Sequence, residues 1–201
     1  MTFKKLAKLY SRIKIYSYYF QGNKMAILQM ATYGNPILRA KAPEVTELTD
    51  EILKVIVDLE DTLSRQRGIG LAAPQVGISK RIFVVDLSPS KQDIKVALIN
   101  PEIIYRSAEM SENEEGCLSV PEVWGNVLRP DEIKIKGMLP NGRTVTIRAE
   151  GIYARALQHE FDHIEGILFI DYFSPGEIEQ NREHLDTILD HNRKKLGRIL
   201  I

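Results

Sequence analysis

The 201-residue sequence predicts an α+β fold. Apolar residues recur at helical spacing in "TDEILKVIVDLEDTLSRQR" and again in "GIYARALQHEFDHIEG". Short β-branched runs sit together between these stretches, without the one-for-one alternation of helix and strand that builds a parallel sheet. The Asn141-Gly142 pair inside "KGMLPNGRTVTIRA" marks a hairpin with a primed turn. With 44% hydrophobic residues and no repeat or linker, the chain buries one core and forms a single domain.

Taken in order, residues 1–24 form a basic extension. Six of the 27 cations precede Met25, and every acidic residue lies at or beyond Glu44, so residues 25–201 carry a net charge of −6. An acidic body argues against a DNA-binding domain, which carries a basic face. The extension lacks the apolar centre of a secretory signal and reads as disordered or added, with an organelle transit peptide as the alternative. No run approaches the length of a membrane-spanning helix. Cys117 is the sole cysteine, so no internal disulfide forms, which fits a reducing compartment.

The first helix follows Thr49, with Asp50 and Glu51 in its first turn and Ile52, Val55, Ile56, Leu59 and Leu63 on its apolar stripe. Next comes "GIGLAAPQVG", residues 68–77, with the G-x-G-x-x-A spacing of a dinucleotide turn. That turn needs a strand before the glycines and a helix after them. Here a helix precedes and the strand "RIFVVDL" follows, so the segment reads as a loop whose glycines let main chain approach another molecule closely. The strands "KVALINPEIIY" and "DEIKIKGML" follow, with Cys117 expected in a short exposed loop between them. A single C-terminal helix, from "SPGEIEQ" onward, turns Ile178, Leu185, Ile188 and Leu189 inward and leaves His184 and His191 as ordinary helix histidines.

The segment "QHEFDH", residues 158–163, carries the chemistry. Four residues apart on a helix, His159 and His163 share a face and can bind one metal ion. Glu160 beside them can act as general base and then general acid toward a water at that metal. The best third ligand is Cys117, whose thiolate would complete a Cys-His-His set and leave a fourth position open. A nucleophilic cysteine paired with a histidine is the rival reading, although it leaves Glu160 and the second histidine without work. A developing oxyanion needs donors placed in advance; the Gln75 side-chain amide and the Leu118 backbone N–H are suited.

Three segments, "GIGLAAPQ", "EGCLS" and "QHEFDH" followed by Ile164, Glu165 and Gly166, resemble in order and spacing the three motifs of the peptide deformylase family, and the resemblance runs from about Met25 to the C-terminal helix. It implies a catalytic domain over 25–201, with antiparallel sheets around a central metal-bearing helix. It also implies hydrolysis of the N-formyl group from the formyl-methionine of new polypeptides, releasing formate. Cys117, His159 and His163 would ligate one divalent metal, Fe²⁺ in most relatives, with Zn²⁺, Ni²⁺ or Co²⁺ accepted. Glu160 would move protons, and Gln75 and Leu118 would hold the oxyanion. Gly70, with Ile69 and Gly116 beside it, would bind the peptide as an added strand. Ile69, Ile152, Leu157 and His159 would contribute to the methionine pocket. An ion pair between Arg129 and Asp162 is expected to hold the helix against the cysteine segment, and Trp124 stands at the groove rim, where many relatives carry other side chains, including arginine.

Other amide hydrolases share part of this pattern. An inactive ribosome-binding relative is the reading from another class, motivated by Lys194, Lys195 and Arg198 near the C-terminus and by the basic extension. The resemblance also implies a bacterial cytoplasmic enzyme, or a mitochondrial or plastid one if residues 1–24 are a transit peptide.

Overall fold

The computed structural model describes residues 27–90 and 92–197, with side chains to residue 194, so the basic extension lies outside the described residues. Helix α1 spans Asp50–Ser64, capped by the Thr49 hydroxyl, which accepts from the Ile52 N–H. Strands β1 (Gly70–Ala72), β2 (Ile82–Asp86), β3 (Lys95–Arg106), β4 (Met110–Cys117), β5 (Val120–Pro130), β6 (Glu132–Met138) and β7 (Thr144–Glu150) follow. Helices α2 (Gly151–Glu165), α3 (Pro175–Gln180) and α4 (Arg182–Gly197) complete the order. All strand pairs are antiparallel, in one sheet of order β1-β2-β3-β6-β7 and a second made of β4 and β5.

The five-stranded sheet is covered on both faces near β2, which explains the unbroken apolar run "IFVV". Side chains alternate across a strand. Phe83 and Val85 face the core built with Tyr153, Ala154, Ala156, Leu157 and Ile164 of α2. Ile82 and Val84 face Ile56, Leu59 and Leu63 of α1. A third apolar cluster joins Val120, Val123 and Val127 of β5 to Leu185 and Ile188 of α4. Helix α2 is thus wedged between the larger sheet and the β4–β5 ribbon. It ends at Gly166, whose φ of 79° no side-chain residue adopts readily, and whose N–H reaches back to the Asp162 and His163 carbonyls.

Four expectations are corrected. The segment around Cys117 is no short loop but a long two-stranded ribbon, with Cys117 as the last residue of β4 and half-buried. The "MSENEEGC" strand has polar residues on both faces, so no apolar alternation announces it. Part of the glycine loop is itself a strand, β1, which pairs with β2 and forms an edge of the sheet. The C-terminal helix is two helices, because Ser174 and Glu177 form a capping box at the start of α3 and Asn181 closes it. The β6–β7 connection is no primed turn: Pro140 cannot take a positive φ, and among these residues only Gly142 does, at 79°. Its N–H bonds the Leu139 carbonyl, and the Leu139 N–H bonds that of Arg143, giving the longer turn.

Candidate active site

The helical repeat of α2 brings His159 and His163 to one face, with ring centroids 5.0 Å apart. The end of β4 delivers Cys117 opposite them, its Sγ 3.2 Å from His163 Nε2. The ligand atoms of Cys117, His159 and His163 lie within 4.8 Å of one another, a group that can hold a metal ion. Two donors face the sulfur, the Ser119 N–H and Gln75 Nε2, each at 3.4 Å. A cysteine binds a metal through its thiolate. Burial keeps the His163 imidazole well below its ordinary pKa, so it is the neutral ring a cation requires.

Gln75 is buried, and its orientation is settled by bonding. Its Oε1 accepts from the Ala72 N–H at 2.7 Å, leaving the Nε2 hydrogens as the end aimed at Cys117. Leu118 follows Cys117 in the tight β4–β5 turn, so its backbone sits at the lip of the same site.

Glu160 is 3% exposed, and its Oε2 has no hydrogen-bond partner among the described residues. Burial pushes its carboxyl up to about 7, against the pull of His159. A buried carboxylate that makes no structural bond is available for proton transfer. Gly70 of β1 lies directly against it, and a Cβ at that position would overlap the Glu160 carboxylate. The substitution Gly70→Ala is therefore expected to displace Glu160 and lower kcat by about 10²-fold, the scale of an ångström-level misplacement. Steady-state rates at matched metal content check this.

Behind the histidines lies a carboxylate that sequence reasoning missed. Glu115 accepts from His159 Nδ1 at 2.9 Å, from Arg129 Nε and a terminal nitrogen at 2.6 and 3.0 Å, and from Arg155 at 2.6 Å. Burial pushes its carboxyl up, but the bonds from His159 and Arg129 prevail and hold it at about 2. Accepting at Nδ1 fixes the ring orientation and turns His159 Nε2 toward the other ligands. Two sequence signals could have found these residues. Glu115 precedes Cys117 by two on a strand, and Arg155 precedes His159 by four on a helix, so each shares a face with its ligand.

The expected Arg129–Asp162 ion pair is present at 2.8 Å, and the Tyr172 hydroxyl donates to the same carboxylate. Arg129 thus joins β4, β5 and α2 through Glu115 and Asp162. With the arginine and Glu115 side chains each 5% exposed, Arg129→Leu strips Asp162 of its ion-pair partner and Glu115 of its two bonds from the arginine, leaving Tyr172 on the first and Arg155 and His159 on the second. The expected cost is about 3–5 kcal/mol, read by denaturant unfolding.

Ile69, Gly70, Gln75, Gly116, Cys117, Leu118, His159 and Glu160 all line one cleft of about 240 Å³, joined by Trp124 and Ile152. Leu157 does not: it is fully buried in the core shared with the sheet. It precedes His159 by two residues, roughly 200° around the helix. His184 and His191 are exposed on α4, away from this cleft.

Comparison with known proteins agrees with this geometry. The family model described as polypeptide deformylase matches residues 27–179. A peptide deformylase from Halothermothrix orenii is 50% identical over 147 residues, covering 73% of this chain and 94% of that protein. Among solved structures, peptide deformylase from Thermotoga maritima superposes with TM-score 0.70 at 42% identity, covering 75% of this chain and 99% of its own. Peptide deformylase 1B from Arabidopsis thaliana gives TM-score 0.80 at 31% identity, covering 85% and 94%. The matched region contains the glycine strand, the cysteine turn and the histidine helix that line the cleft, and the chain belongs to the peptide deformylase family.

Proposed function

We propose that this chain removes the N-formyl group from the formyl-methionine of newly made polypeptides, as a metallohydrolase acting on a linear amide bond. The observation that carries the reading is the buried, unbonded Glu160 carboxylate beside a convergent Cys117, His159 and His163 set. Cys117, His159 and His163 would hold a divalent ion, which would supply a Lewis acid able to lower the pKa of water and polarise a carbonyl. We assign Fe²⁺ to the site, with Zn²⁺, Ni²⁺ and Co²⁺ also compatible with one thiolate and two imidazoles.

In this reading Glu160 takes a proton from the attacking water and returns it to the methionine nitrogen as the C–N bond breaks. Formate and a free amino terminus result. Gln75 Nε2 and the Leu118 N–H donate to the oxygen that gains charge, a contribution worth about 10²–10³-fold per donor. The peptide runs along β1, an edge of the larger sheet, where the Gly70 backbone offers hydrogen bonds and Ile69 and Gly116 line its path. The methionine side chain enters the apolar part of the cleft near Ile69, Ile152 and Ala156.

Residues 25–201 are assigned to the catalytic domain, and the bacterial cytoplasm is the compartment proposed, in keeping with the bacterial relatives. A transit role for residues 1–24 is the alternative. Among the described residues no helix is long and apolar enough to cross a membrane. A ribosome contact through the C-terminal helix is proposed on Lys194, which is exposed, together with Lys195 and Arg198, whose side chains lie outside the described residues. Comparing formyl-Met-Ala-Ser with acetyl-Met-Ala-Ser tests the reaction class. Formate from the first without acetate from the second is expected; equal release would indicate a general amide hydrolase.

A further inference from the structure

Trp124 is the most exposed of the large apolar side chains among the described residues, at 60%. A scattered exposed apolar residue is ordinary, but this one lines the cleft that holds Cys117 and Glu160. Its position is built by the β4–β5 register, which sets Trp124 directly across from Gly116. The six-membered ring of the indole covers the Cα of Gly116: a Cβ there would stand 2.6 Å from two of its atoms. Only glycine lets the ring settle onto the backbone beside the ligand cysteine. The adjacent Gly125 in turn receives the Phe173 ring, which holds the strand from behind. Ile152, 44% exposed, lines the same cleft, so Trp124 continues an apolar surface that reaches out to solvent.

We infer that Trp124 is a specificity-determining residue, a platform on which a large apolar side chain of the substrate, at the second or third position after the formyl group, packs. The inference rests on the deformylase reading. A formyl carbonyl placed near Glu160, Gln75 and Cys117, with the methionine in the apolar part of the cleft, leaves the next residues beside the exposed indole. Tryptophan supplies a large rigid surface at low entropic cost, and covering it with an apolar side chain removes area from water on both partners. The preference is a binding effect remote from the reacting atoms, so it falls on KM more than on kcat.

Two measurements test this. The first compares formyl-Met-Leu-Ser with formyl-Met-Gly-Ser, and formyl-Met-Ser-Leu with formyl-Met-Ser-Gly, in the native enzyme. Leucine in at least one of the two positions is expected to give about a five- to tenfold lower KM. Trp124→Ala should reduce that ratio to within about twofold, while Trp124→Phe keeps most of it. The second measurement needs no turnover. Trp124 is the only tryptophan in the chain, so selectively excited indole emission reports on this side chain alone. Adding the preferred leucine peptide to the zinc-loaded Glu160→Gln variant should shift emission to the blue, and the glycine counterpart should shift it less. Emission that stays unmoved at peptide concentrations shown by calorimetry to saturate the protein overturns the platform, as does a leucine preference that survives in Trp124→Ala. Formate release by the native enzyme reports separately on the deformylase reading.

Discussion

Replacing Glu160 with glutamine will lower kcat for formyl-Met-Ala-Ser by about 10²–10⁴-fold, with metal content unchanged. Glutamine has nearly the same shape, so Gly70 still packs against it and α2 keeps its place. It cannot accept a proton from water or return one to a leaving amine. The carboxylate makes no ion pair with any described residue, and its Oε2 is unbonded, so its loss removes no structural bond at that atom. Burial holds its pKa at about 7, which makes the native state carry a costly ionisable group in a dry place. Glu160→Gln is therefore expected to be at least as stable as the native protein, and this opposition of activity and stability is the mark of a catalytic group. Metal analysis, thermal unfolding and steady-state kinetics on one preparation check all three statements. A variant with near-native kcat would assign the proton transfer elsewhere.

The second large effect belongs to Cys117. Cys117→Ser should lose most bound metal on dialysis, and formate release should fall in proportion to the metal lost. A serine hydroxyl stays protonated near neutral pH and cannot replace the thiolate that Ser119 N–H and Gln75 Nε2 surround. His159 and His163 alone form an incomplete set, since a catalytic zinc-type site takes three protein ligands. The experiment also separates the two roles a lone cysteine can have. Loss of activity with full metal occupancy would favour a nucleophilic thiolate; joint loss is the outcome expected of a ligand.

What the sequence made legible follows from how local each signal is. His159, Glu160 and His163 were readable because a helix repeat fixes their relation within five residues, and Gly166 marks the helix end. Helix α1 and strand β2 announced themselves by period and by β-branched composition. The β4–β5 ribbon did not, because Glu112, Asn113, Glu114 and Glu115 carry no apolar alternation, and the buried use of Glu115 depends on partners from β5 and α2. Its burial is a tertiary fact: a carboxylate stays inside only because Arg129, Arg155 and His159 all reach it. Leu157 shows the opposite failure. The family resemblance implied a place for it in the methionine pocket, while helix geometry sends it into the core. Trp124 could be named from the sequence as unusual, but its place over Gly116 required the strand register.

The central claim is that one divalent ion held by Cys117, His159 and His163 works with Glu160 to hydrolyse a formyl amide. The most direct measurement is formate release from formyl-Met-Ala-Ser by protein prepared anaerobically with ferrous iron, stripped with a chelator and then reloaded. Release that stops on stripping and returns on reloading, in proportion to about one ion per chain, is the predicted result. No release by the fully loaded protein, or release that persists after the metal is gone, would contradict the account.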